Sequence, residues 1–361
     1  MKRSLGSRAV SLSFVLLACS GLLMNARLFA QSKAKAENVP ELPYDSVPNF
    51  FKLPPGLFLG EGIGVATNSK GHVFVYTRSG ETRLFEFDQN GTFVREIGQG
   101  LYGFVFAHAV RVDAQDNVWC VDEGSNTVIK FNPAGRVVMV LGRRPEAVDE
   151  LSAMTGQGAY SGANKPYSFN RPTDIAWDAR GNIFVSDGYG DSRIVKYDKD
   201  GRFIKSVGAR GNQPGQFNLP HTMATDAQGN VYVGDRGNAR VQVFDNDLNF
   251  KTMYDTVGSP WAICISPAPH QYLYVSNSIP DNGDSRLAGQ TGEIYKMELD
   301  GTILGRFGRP GKALKEFSTT HEIDCRNPNE LFVSEITSWR VQKIVLRPQM
   351  TSSHSEKEVQ R

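Results

Sequence analysis

The chain has 361 residues, a length that suggests two domains on average but that repeat architectures routinely fold as one. Forty Lys and Arg against 38 Asp and Glu leave a formal charge of +2 with no long basic run, which sets aside a nucleic-acid partner. Small polar or uncharged ligands stay open.

The first thirty residues differ from everything after them. Lys2 and Arg3 precede an apolar stretch, Val10 to Met24, which breaks into polar sequence at Gln31, and this pattern reads as an export signal over residues 1–30. The apolar part is short and interrupted by Ser and Gly, and no other segment could cross a bilayer, so the mature chain is expected without a transmembrane span, in the periplasm or outside the cell. Cleavage after Ala30 is one reading. Leu16-Leu17-Ala18-Cys19, which loosely resembles a bacterial lipoprotein box, would instead leave a lipidated Cys19. Either way Cys120, Cys264 and Cys325 remain in the body, an odd count that argues for core thiols and against a disulfide framework. Residues 31–48 read as a linker and 347–361 as a disordered tail.

Between them one phrase recurs six times: an alternating apolar run, a turn with Gly, Asn or Asp, and further runs of β-branched and aromatic residues. The turn-plus-strand cores are Gly71–Val75, Asp116–Cys120, Gly181–Val185, Gly229–Val233, Gln271–Val275 and Asn329–Val333. Their spacing of roughly 40 to 65 residues suits propeller blades, with insertions near 143–168 and 278–290 widening two gaps. The expected fold is therefore all-β, a six-bladed β-propeller over residues 49–346. The sixth copy lacks an outer strand, and Asn49 to Leu53 in the N-terminal segment is the candidate to supply it, closing the ring and protecting its edge.

Aligned on their first strands, the copies share one informative column: Ile63, His108, Thr173, His221, Trp261 and His321. Histidine fills the second, fourth and sixth places only. Successive blades turn by about 60°, so alternate blades stand about 120° apart and three imidazoles would converge on the axis. Three neutral imidazoles with a fourth position open is the arrangement of a catalytic zinc site, although iron, cobalt and copper also accept such ligands. His72, His270 and His354 fall on turns or in the tail. Arg78 and Arg236 end the second strands of blades one and four, and Tyr189 sits in the matching loop of blade three, on the rim where first strands begin. A guanidinium there can pair with a substrate carboxylate, and a phenol beside a dication can act as a base.

The blade phrases Asp178-Ala-Arg-Gly-Asn-Ile-Phe-Val-Ser-Asp187 and Asp226-Ala-Gln-Gly-Asn-Val-Tyr-Val-Gly-Asp235 resemble the signature of the NHL family of six-bladed propellers. With the histidine column, and with Val185 to Ile194 and Phe217 to His221, the chain looks like the peptidyl-α-hydroxyglycine α-amidating lyases. That resemblance implies zinc on His108, His221 and His321, Tyr189 as base, and Arg78 and Arg236 holding the carboxylate of a small or peptide substrate that yields an amide and glyoxylate. It also implies a structural calcium deeper on the axis, held by the carbonyls of Val65 and Val110 and by Glu322. Gly190 stands where that family has a disulfide cysteine, and Glu322 replaces a shorter aspartate. A monomer is expected. The alternatives are a propeller lactonase, a class that holds its metal chiefly with Glu, Asp and Asn, or a streptogramin-lyase-like enzyme, and a non-catalytic NHL propeller that binds a ligand or protein.

Overall fold

Each recurring turn-plus-strand core becomes the second strand of a four-stranded antiparallel sheet in the computed structural model, which describes residues 33–144, 166–280 and 285–348. Strand β1 (Tyr44–Val47) comes first. Blade one then holds β2 (Gly62–Thr67), β3 (Val73–Ser79), β4 (Glu81–Phe87) and β5 (Phe93–Ile97). Blade two holds β6 (Ala107–Val112), β7 (Val118–Asp122), β8 (Thr127–Phe131) and β9 (Val137–Gly142). Blade three holds β10 (Asp174–Trp177), β11 (Ile183–Asp187), β12 (Arg193–Tyr197) and β13 (Phe203–Val207). Blade four holds β14 (Pro220–Thr225), β15 (Val231–Asp235), β16 (Arg240–Phe244) and β17 (Phe250–Tyr254). Blade five holds β18 (Pro260–Ile265), β19 (Tyr272–Asn277), β20 (Glu293–Glu298) and β21 (Ile303–Phe307). Blade six holds β22 (Thr320–Asn327), β23 (Glu330–Glu335) and β24 (Arg340–Leu346).

The first strands of the blades line the axis and touch in sequence, and β22 returns to touch β2, so the ring is closed. The fold is the six-bladed propeller expected from the repeat. Apolar faces of adjacent blades fill the seams between them: Ile175, Val185 and Val195 of blade three pack with Val121 and Val128 of blade two.

The last blade is completed by the N-terminal segment, but by different residues from those expected. Strand β1 pairs with β24, Tyr44 opposite Leu346 through Val47 opposite Lys343, so the propeller begins inside the stretch read as a linker. Asn49 to Leu53 instead runs past blade one, where the Lys52 amide donates to Gly91 and its carbonyl accepts from Phe93. The physical reason lies in the side chains. Phe50, Phe51 and Leu53 are neighbours that all pack into the seam between blades six and one, against Phe87, Phe332 and Val341, which an alternating strand could not do. Tyr-Asp-Ser-Val has the required alternation.

A second departure is covalent. Cys264 on β18 and Cys325 on β22 form a disulfide joining blades five and six, and among the described residues only Cys120 is a free thiol, buried in a seam. An odd count hid one pair and one bystander. A core disulfide is the mark of an oxidising compartment. The leader, Cys19 and the tail from 349 onward lie outside the described residues, as do 145–165 and 281–284. Among the described residues no helix is long and apolar enough to cross a membrane.

The recurring Asp and Asn residues have a local cause. In blade three Asp178 accepts from the amides of Arg180 and Asn182, each at 2.9 Å, and from the Asn182 side chain at 2.7 Å, which fixes the turn between first and second strands. Asp226 and Asp113 repeat the arrangement. The acidic residue closing the second strand does a different job. Asp235 accepts from the Asn218 amide at 2.7 Å and Glu335 from the Ser318 amide at 2.8 Å, each three residues before a histidine of the column, while Asp122 accepts from Val105 and Phe106 just before His108. These buried acids pin the loops that deliver the histidines to the axis.

Candidate metal centre and the residues around it

Every blade except the third shows a register shift at the column residue: between Ala107 and Ala109, Pro220 and Thr222, and Thr320 and Glu322 at the histidines, and between Gly62 and Gly64 and Pro260 and Ile263 at Ile63 and Trp261. A bulge leaves one residue out of the ladder and re-aims its side chain. Here it turns His108, His221 and His321 inward. Their ring centroids lie 4.7, 4.7 and 4.9 Å apart, and one ligand nitrogen of each falls within 4.8 Å of the others, all three rings being buried.

Which nitrogen faces the centre follows from the other one. His108 Nδ1 donates to the Thr173 carbonyl at 2.5 Å, His221 Nδ1 to Trp261 at 2.7 Å and His321 Nδ1 to Ile63 at 2.9 Å. A carbonyl only accepts, so Nδ1 carries the proton and Nε2 presents its lone pair. Each acceptor is the column residue of the next blade. The three blades without histidine thus orient those with it. His221 Nε2 is buried and has no hydrogen-bond partner, an orphaned acceptor aimed into the cluster. Burial pushes all three imidazoles well below their ordinary pKa, with Arg236 pushing the same way on each and Arg78 on His108 and His321, so the rings are neutral and ready to ligate. Three oriented neutral nitrogens fit zinc or a similar borderline metal.

Tyr189 comes to this cluster as expected, its hydroxyl 3.4 Å from His108 Nε2. Arg236 stacks on Trp261 at 4.1 Å and on Tyr189 at 5.5 Å; burial holds it below its ordinary pKa, and among the described residues it makes no ion pair. Arg78 lies over Phe106 at 3.9 Å, but Glu61 accepts from its Nε at 2.9 Å and the Ala107 carbonyl from Nη1 at 3.2 Å. One arginine is therefore largely engaged and the other poised.

Two residues escaped the sequence reading. Glu123, buried, lies 4.0 Å from both His108 Nε2 and Arg78 Nη1 and pairs closely with Arg171, whose Nε donates to it at 2.8 Å. Arg171 in turn covers the Tyr189 ring at 4.5 Å, on the solvent side. A signal for Glu123 existed: three places after the aligned Val75, Cys120 and Val233 stand Arg78 in blade one, Glu123 in blade two and Arg236 in blade four. Arg171 gave none: Leu219 fills the same place before the column in blade four with a similar φ, 69° against 62°, so the backbone position repeats while the arginine does not.

Val65, Val110 and Glu322, the residues expected around a calcium ion, do meet on the axis: the amides of Val65 and Val110 each donate to Glu322 Oε2 at 3.1 Å. Arg111 lies beside the same carboxylate, its Nε 2.9 Å from Oε1.

Fold and site together define a six-bladed propeller with a buried tri-histidine cluster placed to hold a metal ion. Comparison with known proteins narrows this. Residues 217–244 match the NHL repeat. NHL repeat-containing protein 3 of Mus musculus is 30% identical over 305 residues, covering 80% of this chain and 80% of that protein. The chain belongs to the NHL-repeat family. A Caenorhabditis elegans protein named as a probable peptidyl-alpha-hydroxyglycine alpha-amidating lyase is 30% identical over 180 residues, 43% of this chain and 46% of that one, and the chain spans about half the length of such curated relatives. Among solved structures a streptogramin B lyase superposes with a TM-score of 0.54 at 13% identity, over 85% of this chain and 98% of its own, a likeness of fold alone.

Proposed function

We propose that this propeller is an exported, metal-dependent lyase that cleaves the C–N bond of a peptidyl-α-hydroxyglycine-like substrate to an amide and glyoxylate. The observation that carries the reading is the set of three Nε2 lone pairs, each fixed by an Nδ1 hydrogen bond to the next blade, with Tyr189 beside them. Relatives named as amidating lyases support the substrate class.

His108, His221 and His321 would hold the metal, and when bound it would polarise the substrate hydroxyl. Arg236, stacked on two aromatic rings and without an ion-pair partner among the described residues, receives the substrate carboxylate and fixes the carbon next to Tyr189. Arg78, anchored by Glu61, presents a second positive edge to it. Tyr189, acting as the base, takes the hydroxyl proton; the oxygen electrons form the aldehyde C=O as the C–N pair leaves with nitrogen, which receives that proton back from the phenol to become the amide. Glu123 holds Arg171 over the tyrosine ring, covering it from water.

The test is elemental analysis of the purified protein followed by glyoxylate release from a hydroxyglycine-terminated peptide. About one equivalent of bound metal, with release abolished by His221→Ala, supports the reading. Metal without glyoxylate removes the substrate assignment. A protein with neither favours a binding propeller.

A further inference from the structure

Below the histidines the axis carries a second polar layer. Arg111, on β6, is 13% exposed in its side chain, and its guanidinium lies among two acids, two carbonyls and a hydroxyl. Nε and Nη2 donate to the two oxygens of Asp174 at 3.0 and 2.6 Å. Glu322 Oε1 lies 2.9 Å from Nε. Nη1 reaches the Ile323 carbonyl at 3.3 Å, and Nη2 reaches Thr222 Oγ1 at 3.4 Å and the Ile263 carbonyl at 3.5 Å. Glu322 Oε2 meanwhile accepts from the amides of Val65 and Val110.

These partners belong to different blades. Val65 is in blade one, Arg111 itself in blade two, Asp174 in three, Thr222 in four, Ile263 in five, and Glu322 and Ile323 in six. One guanidinium and the carboxylate beside it therefore tie together the first strands of the whole ring. Two carboxylates with neutral oxygens is also what a calcium ion would take. The space between this layer and the histidines, lined by His108, Thr173, Asp174, Thr222 and Glu322 among others, is too small for a water molecule.

We propose that Arg111 is the resident cation of the propeller axis, occupying the place of the structural calcium expected from the resemblance, and that this layer binds no metal ion. The guanidinium offsets one of the two buried negative charges where a dication would offset both, and Glu322 Oε1 accepts no hydrogen bond, but the guanidinium is covalently tethered and directional, so it cannot dissociate. The proposal does not depend on the lyase reading.

The test uses the full chain dialysed into calcium-free buffer with zinc supplied throughout. Calcium content is expected below about 0.1 equivalent, and calcium chloride should leave the melting temperature where magnesium chloride leaves it. A real site filled to a hundred times its dissociation constant would raise it by roughly 5 °C or more. One equivalent of calcium retained through dialysis, or a saturable rise specific to calcium, overturns the proposal. Arg111→Ala leaves Asp174 and Glu322 uncompensated and should melt lower but gain a calcium-specific rise of roughly that size. A folded R111A that ignores calcium also overturns it; if R111A does not fold, the wild-type measurements decide alone.

Discussion

Breaking the bond between Cys264 and Cys325 tests whether the ring is closed covalently as well as by the N-terminal strand. The two residues are 61 positions apart, so the disulfide closes a loop of that length in the unfolded chain. The chain-entropy relation, about 2.1 plus 1.5R ln n in cal/mol/K, gives roughly 14 cal/mol/K, or about 4 kcal/mol at 25 °C. Reduction acts on the unfolded state, while the native seam of Ala262, Tyr274, Ile323 and Val333 around both sulfurs stays packed. Urea unfolding followed by tryptophan fluorescence, with and without reductant, should therefore show the midpoint falling by roughly 1.5 M for a slope near 2.5 kcal/mol/M. Metal content before the transition should not change, because neither sulfur touches a histidine. A midpoint unmoved after thiol titration has confirmed that Cys264 and Cys325 are both free would refute the loop-closure argument. Loss of metal on reduction without unfolding would refute the claim that the native seam holds by itself.

Three further outcomes follow from the site. His221→Ala removes one of three ligands and should lower metal affinity by at least 10- to 100-fold, measured by competition with a chromogenic chelator; a chelator that strips the wild type should abolish turnover, and added zinc should restore it. Tyr189→Phe should lower kcat by about 10²- to 10⁴-fold with metal content unchanged, and an unchanged kcat would remove the phenol from proton transfer. Gly188→Ala places a methyl 2.1 Å from the Pro220 carbonyl oxygen, so the strand start before His221 must shift; a loss of about 1–3 kcal/mol together with weaker metal binding is expected, and a variant identical to wild type would show that this strand is not rigidly held.

The architecture was legible because its cause is local and repeated. The Asp-x-x-Gly-Asn turn is a set of hydrogen bonds to the aspartate side chain within five residues, so it survives in sequence wherever the blade does. The histidine column was legible for the same reason, being one bulge repeated around the ring. What stayed hidden depends on contacts between blades. Nothing near Cys264 says that Cys325 lies across the seam. The amides of Val65 and Val110 and the side chain of Arg111 meet Glu322 only once six strands converge. The N-terminal pairing was misplaced by a few residues because Phe50-Phe51 reads as strand by composition, while its actual work is to fill a seam.

The alternation of the histidines has its own physical reason. Each imidazole has its Nδ1–H held by a carbonyl, and in all three cases that carbonyl belongs to the neighbouring column residue. Were that neighbour also a ligand, its ring would have to share the same narrow axis. A ring of six resolves the conflict by dividing the column into three nitrogen donors and three carbonyl supports, Thr173, Trp261 and Ile63. A ring with an odd number of blades could not alternate around its full circuit. The supporting residues need no particular side chain for this duty, and Ile, Thr and Trp share only their backbone oxygen, which leaves their side chains free to shape what lies beside the cluster. Trp261 uses that freedom to carry Arg236, so the residue that orients His221 also positions the guanidinium facing it.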